Sequence, residues 1–397
     1  MPVSSRIQKV TASQTMKISA KAIELKSEGK DVINLSVGEP DFTTPDNIKQ
    51  AAIQAIERGE TKYTVNAGIK ELRQAISNKL KTENNLDYAF DEIIVSNGAK
   101  HSLYNAIQVI VDEGDEVIIP APYWVSYPNM VSLAGGKAVV IETTEETGFR
   151  ITPDQLEKAI TGKTKALILC NPSNPTGAAY PVEELEKLLE VINKYDFYII
   201  SDEIYEKLVY DEFAFKSFPA IAPELRERII LVNGVSKAYA MTGWRIGYTA
   251  APKEIIAGIN KIQSHSTSNA SSVSQYAALE ALTGPQDALQ EMKKSFEERR
   301  NFFYEAIGNI DGFICPKPEG AFYLFPNIKG VLGKSYGEIK INNSFDLAMY
   351  LIDEALVATV PGSAFGAEGY LRLSYALSLE SLKEAAARIK EAIAKLS

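Results

Sequence analysis

The sequence predicts an α/β protein. A large domain carries a mostly parallel central sheet flanked by helices, and a smaller α+β domain sits beside it. Three observations predict this. Short β-branched runs alternate with amphipathic stretches through the middle of the chain, as strand–helix–strand crossovers require. The chain is 397 residues long, too long for one small core and suited to one large and one smaller domain. Beyond about residue 288 the alternation stops, and a charged stretch leads into short mixed elements.

Taken in order, Glu92–Ser96, Glu116–Pro120, Ala166–Cys170, Phe197–Ser201 and Ile229–Asn233 are short apolar runs that read as buried strands. Amphipathic stretches such as Val182–Tyr195 lie between several of them and predict covering helices. Ala288–Ile307 predicts a long charged helix leading out of the sheet. Then come Gly312–Phe325, a helix near Ser344–Glu354, a strand over Tyr370–Tyr375 and a final helix from Leu379. The expected division is about 46–287 for the large domain, and about 1–45 with 288–397 for the small one. No internal repeat, low-complexity segment or flexible linker interrupts it.

Composition removes several classes of function. The chain is 45% hydrophobic and 23% charged, as soluble globular proteins are. A net charge of −9 with no basic stripe argues against nucleic acid or an anionic membrane as partner. Two cysteines, Cys170 and Cys315, without metal-ligand spacing point to a reducing cytoplasm and to no disulfide framework or metal. The first residues hold no apolar core of a signal peptide, and no apolar run reaches membrane-span length. His101 and His265 are the only histidines, a poor basis for Ser-His-Asp or zinc chemistry, and both read as structural. No Gly-x-Gly-x-x-Gly opens the sheet, so no nicotinamide site is expected. Gly330–Ser335 has glycines spaced too closely for a phosphate loop.

The chemistry concentrates at the carboxyl ends of the predicted strands, where open α/β sheets bind ligands. Gly98, Asn174, Asp202 and Lys237 all follow such ends. Lys237 lies between Gly234 and Gly247 in a run of mostly small and apolar residues. Desolvation there lowers the proton affinity of its amine and makes it a nucleophile toward a carbonyl. Arg245, eight residues on, offers a planar fork suited to a phosphate. An amine beside a phosphate clamp is what pyridoxal 5′-phosphate (PLP) needs. Asp202, just past an apolar strand, either caps a helix or holds a pyridinium nitrogen protonated. The N-terminus of a helix after Ser96 presents free N–H groups, with Gly98 and Ala99 admitting a phosphate.

The run from Gly234 to Gly247 resembles the lysine signature of the class I/II aminotransferases, enzymes of PLP fold type I. Asn171-Pro-Ser-Asn-Pro-Thr-Gly177 resembles a second motif of that family. The resemblance extends over residues 31–392 and is nearest to the prokaryotic aspartate aminotransferases of subgroup Ib. It implies PLP as cofactor and a homodimer with shared active sites. Lys237 would be the Schiff-base lysine and proton shuttle, Asp202 the pyridinium partner, and Tyr205 and Asn174 donors to the phenolic oxygen. Gly98, Ala99, Ser236 and Arg245 would hold the phosphate, helped by Tyr63 from the neighbouring subunit. Trp124 would stack on the ring. Arg372, with Gly38, would anchor the substrate α-carboxylate.

The implied reaction is ping-pong transfer from L-aspartate to 2-oxoglutarate, giving oxaloacetate and L-glutamate. One aspartate subgroup supplies an arginine for the distal carboxylate. Lys261–Ser266, near that position, contains none. Lys100 is the candidate in its place, with Ser13 or Thr15 assisting. Where some relatives carry a further phosphate-binding serine, this chain has Gly234. Three alternatives stay open. One is the same reaction class with aromatic amino acids, alanine or prephenate. Another is a different reaction on the same fold, such as α,γ-elimination from a methionine adduct. The third is a PLP-binding regulator without turnover, although only about thirty residues precede the body and the charge is acidic.

Overall fold

The computed structural model describes residues 3–8, 10 and 14–397. Its centre is a seven-stranded sheet. In chain order the strands are β1 (Ile93–Ser96), β2 (Glu116–Ala121), β3 (Lys137–Glu142), β4 (Thr164–Cys170), β5 (Tyr198–Asp202), β6 (Ile229–Gly234) and β7 (Gly247–Ala250). Across the sheet they run β1-β7-β6-β5-β4-β2-β3. All pairings are parallel except the two made by β7, which is antiparallel to both neighbours. All four residues of β1 and all but one of β6 are buried, because helices cover both faces. Five strands fall where their apolar runs place them. β3 and β7 were not read from sequence. β3 is an edge strand with partly exposed residues, and β7 is a four-residue return paired on both sides.

The covering helices follow their amphipathic patterns. The helix Val182–Ile192 buries Leu185, Leu188, Leu189 and Ile192, and it stops short of the expected Tyr195. A helix over Ala99–Ile110 packs its apolar face on the sheet and starts directly after β1. Those faces merge into cores above and below the sheet.

The C-terminal part hangs on the helix Asp287–Gly308. Its buried stripe, Leu289, Met292, Phe296, Arg300, Phe303 and Ile307, steps by three and four residues. Arg300 on that stripe is fully buried. It donates to Asp211 and to the Pro318 carbonyl and lies 4.9 Å from the Tyr210 ring centroid. A three-stranded antiparallel sheet follows, with Tyr323–Leu324 as β8, Val360–Pro361 as β9 and Leu371–Ser374 as β10, ordered β9-β10-β8. The helices Ser344–Glu354 and Leu379–Ala394 pack on it. Ile18, Ala22, Leu25 and Leu35 share this core with Phe296, Leu347, Leu351 and Ile389, and Ile33–Asn34 pairs with Val357–Ala358. No helix among the described residues is long and apolar enough to cross a membrane.

Candidate active site

The carboxyl ends of the parallel strands converge on one cavity of about 480 Å³. β6 runs into a tight turn whose half-buried lysine, Lys237, donates from Nζ to the Gly38 carbonyl at 2.6 Å. Burial, with Arg372 and Arg245 adding repulsion, pushes the Lys237 ammonium down to about 8; Glu39 and Asp202 pull the other way. Asp202 ends β5 on the cavity floor. Its Oδ2 accepts from the Tyr127 hydroxyl at 2.5 Å, and its Oδ1 from the Ile204 N–H at 3.3 Å. Burial pushes the Asp202 carboxyl up to about 6, and the two hydrogen bonds and Lys237 restrain the rise. No cation among the described residues bonds to this buried carboxylate, which suits it to a ligand N–H⁺.

The turn after β1 forms the anion end. Gly98 has φ +85°, and a Cβ there would stand 2.3 Å from Arg245 Nη2, so glycine makes room for the guanidinium. Arg245 has φ 56° and donates to the carbonyls of Thr242 and Asn97, at 2.8 and 3.3 Å. Ala99 begins the helix, and Ser236 lines the cavity beside Lys237 and Arg245. Gly234 is fixed by packing: a Cβ would meet the Gly247 Cα and the Ile246 carbonyl at 2.9 Å each. A serine there would need the two backbones to part.

A second cationic point lies across from small-sheet aromatics. Arg372 on β10 donates to Asn174 Oδ1 at 3.1 Å and to the Ser36 carbonyl at 2.6 Å. Its guanidinium sits 4.6 Å from the Tyr323 ring centroid and 5.1 Å from that of Phe365. Its Nε is buried without a hydrogen-bond partner among the described residues. Lys100 Nζ is 4.9 Å from the Trp124 ring centroid, and both side chains line the same cavity. Burial and Arg245 push the Lys100 ammonium down.

Thus Gly38, Ala99, Lys100, Trp124, Asn174, Asp202, Tyr205, Ser236, Lys237, Arg245 and Arg372 come together, with Gly98 directly behind Arg245. Tyr63 does not join them within one chain. It is 90% exposed. Ser13 lies outside the described residues, as does the Thr15 side chain. Cys170 ends β4 and reaches the cavity, with burial pushing its thiol well up. His101 Nδ1 accepts from the Asn97 N–H at 3.2 Å, a structural tie. Sequence reading passed over Tyr127, Tyr323, Ser36 and Phe365. Tyr127 opens the helix Tyr127–Leu133, three residues after Trp124, and meets the Trp124 ring edge-on at 5.4 Å between centroids. Tyr323 meets Arg372 only because β8 and β10 pair, and no local pattern shows that.

The family model described as aminotransferase class I and II matches residues 30–389. The chain belongs to the class I and II aminotransferases. Among its relatives in that family, the aspartate aminotransferase of Bacillus subtilis is 49% identical, covering 100% of both chains. The aspartate/prephenate aminotransferase of Cereibacter sphaeroides is 51% identical over 100% of this chain and 99% of its own. The crystal structure of the aspartate aminotransferase from Rhizobium meliloti superposes with a TM-score of 0.97 at 48% identity, covering 100% of both chains. That of Thermus thermophilus with maleate gives 0.91 at 42% identity, over 99% of this chain and 100% of the other. The fold of this aminotransferase is therefore that of PLP fold type I.

Proposed function

We propose that this aminotransferase moves the amino group of L-aspartate to 2-oxoglutarate by a ping-pong reaction, with PLP held in the cavity. The observation that carries this reading is the buried Lys237 amine, set in one cavity with Asp202 and two guanidinium groups. The donor set fits PLP. Asp202 suits the pyridinium nitrogen, Tyr205 and Asn174 the phenolic oxygen, and Trp124 the ring face. Gly98, Ala99, Ser236 and Arg245 suit the phosphate. When bound, PLP supplies the electron sink that acidifies the substrate Cα–H.

The chain's own residues do the rest. Arg372, held by Asn174 and the Ser36 carbonyl, orients the substrate α-carboxylate, and the Gly38 backbone lies alongside. Lys237 takes the α-proton as a neutral amine and returns it as an ammonium. Lys100 receives the distal carboxylate of a dicarboxylic substrate. Tyr63, exposed in one chain, reaches the phosphate of a second copy, so the active unit is a homodimer with shared sites. The same reading divides the chain into a large domain at about 46–287 and a small one at about 1–45 with 288–397. Two unpaired cysteines favour the cytoplasm. A second reading, prephenate as amino acceptor, is supported by the name of the Cereibacter sphaeroides relative.

The test is a visible spectrum of the PLP-loaded protein titrated with L-aspartate, L-glutamate, L-phenylalanine and L-alanine in turn. Loss of the PLP band at low aspartate and glutamate concentration is the expected result. Loss mainly with phenylalanine or alanine would overturn the dicarboxylate preference. A band that no amino acid changes would leave a PLP-binding protein without turnover.

A further inference from the structure

Behind Lys237 lies a pair of buried tyrosines, of which only Tyr205 has so far been given a task. The hydroxyl oxygens of Tyr205 and Tyr323 are 2.9 Å apart, and either could donate. Their rings meet edge-on, with centroids 6.0 Å apart and planes at 78°. Among the described residues, neither hydroxyl has another hydrogen-bond partner. Tyr323 also packs under the Arg372 guanidinium, and a Cβ on Gly38 would stand 3.0 Å from its hydroxyl. One phenol thus touches the carboxylate clamp, the strap that receives Lys237 and the hydroxyl of Tyr205.

Proton counting gives the pair a direction. A tyrosine hydroxyl has one proton to donate and lone pairs to accept with. Tyr205, in the role proposed above, commits its proton to the phenolic oxygen of PLP, which when ionised can only accept. Its own oxygen is then free only to accept, and Tyr323 is the neighbour that can donate to it. Donation along a chain of hydroxyls polarises the next O–H and strengthens it.

Resting on the PLP reading of the cavity, we propose that Tyr323 is a positioning residue. Its hydroxyl donates to Tyr205, aims the Tyr205 proton at the phenolic oxygen of PLP, and so stabilises the ionised form of that oxygen. No bond is made or broken. The small sheet, through β8, thereby tunes a group whose other contacts come from the large sheet.

The experiment is a pH titration of the visible band of PLP-loaded wild type, Tyr323→Phe, Tyr205→Phe and the double variant. Weaker donation to the phenolic oxygen raises the midpoint of the acid-to-base spectral change. Tyr323→Phe is expected to raise it by about half a pH unit and Tyr205→Phe by more. The double variant is expected to match Tyr205→Phe, because Tyr323 acts only through Tyr205. A wild-type midpoint in Tyr323→Phe, or additive shifts in the double variant, would overturn the role of Tyr323. If Tyr205→Phe is silent as well, the assignment of Tyr205 to the phenolic oxygen fails first. Tyr323→Phe keeps the ring that packs on Arg372, and persistence of the band reports that PLP is still held.

Discussion

At Lys237 the amine has lost most of its water, and Arg372 and Arg245 share its cavity. Its neutral fraction therefore grows as pH climbs through about 8, against 10.5 for an ordinary lysine. Uptake of PLP by the empty protein, followed by absorbance, is expected to accelerate with pH and level off above about 8. An inflection nearer that of a free lysine would mean the amine is solvated. Asp202 shows the opposite shift, to about 6 from an ordinary 3.8. The folded state then holds the proton more tightly than the unfolded chain, so the group's contribution is present below 3.8 and lost as pH rises through about 6. Asp202→Asn is expected to abolish transamination yet stabilise the PLP-free protein at pH 8 by about 1–3 kcal/mol, with the difference vanishing near pH 4, by urea unfolding. Lys100→Ala is expected to cost aspartate turnover about tenfold more than phenylalanine turnover, compared as kcat/KM. Equal loss would show that Lys100 serves the fold or the cofactor instead.

The turn from Asp202 to Glu206 sorts its side chains by direction. Asp202 and Tyr205 line the cavity, and Glu203 and Glu206 point away from it into buried anchors. Glu203 Oε1 accepts from Ser201 Oγ and the Phe218 N–H, both at 2.9 Å. Glu206 pairs with the buried Lys79 and accepts from Asn84 at 2.8 Å and Asn233 at 2.9 Å. Asn233 in turn takes the Gly234 N–H at 2.7 Å, at the start of the lysine turn. One carboxylate thus ties the helix Lys70–Asn84, the end of β5 and the end of β6. Glu206→Gln leaves the Lys79 ammonium poorly paired and is expected to destabilise the protein by about 3 kcal/mol in urea unfolding. Replacing both partners by methionine is expected to cost much less, since neither charge is then stranded. The elements themselves were legible where an apolar run is unbroken, as in β1 and β6. β3 carries an unbroken apolar run, Ala138–Ile141, that no expectation covered, and β7, Gly247-Tyr-Thr-Ala250, has no apolar run to mark it.

Across the whole molecule, the N-terminal segment and the C-terminal third share one core. The cavity is roofed from that side by Arg372, Tyr323 and Phe365. Tyr63, 90% exposed, and Val65, 64% exposed, are large apolar groups left in water two residues apart. If Tyr63 completes a partner's site, Tyr63→Ala and Lys237→Ala subunits should complement each other. A hybrid dimer then holds one site with both an intact Lys237 and an intact Tyr63. Mixing the two variants after reversible dissociation is expected to give up to about a quarter of wild-type activity, more than the two assayed apart. No gain on mixing would place Tyr63 outside the neighbouring site.

The sequence by itself determined the alternation of strands and helices, the buried lysine turn and the motifs after each strand. All of these depend on residues close together in the chain, where apolar period and turn chemistry act directly. It also placed Asp202, Asn174 and Lys237 at the sheet's ligand-binding end, because parallel strands deliver their carboxyl ends to one side. Only the tertiary structure decided that Tyr323 stacks under Arg372 and bonds Tyr205, that Tyr127 holds Asp202, and that Gly234 is a packing residue. Those contacts join residues far apart in sequence. Their geometry is set by strand pairing and by how closely two backbones approach, and neither leaves a mark in a local pattern.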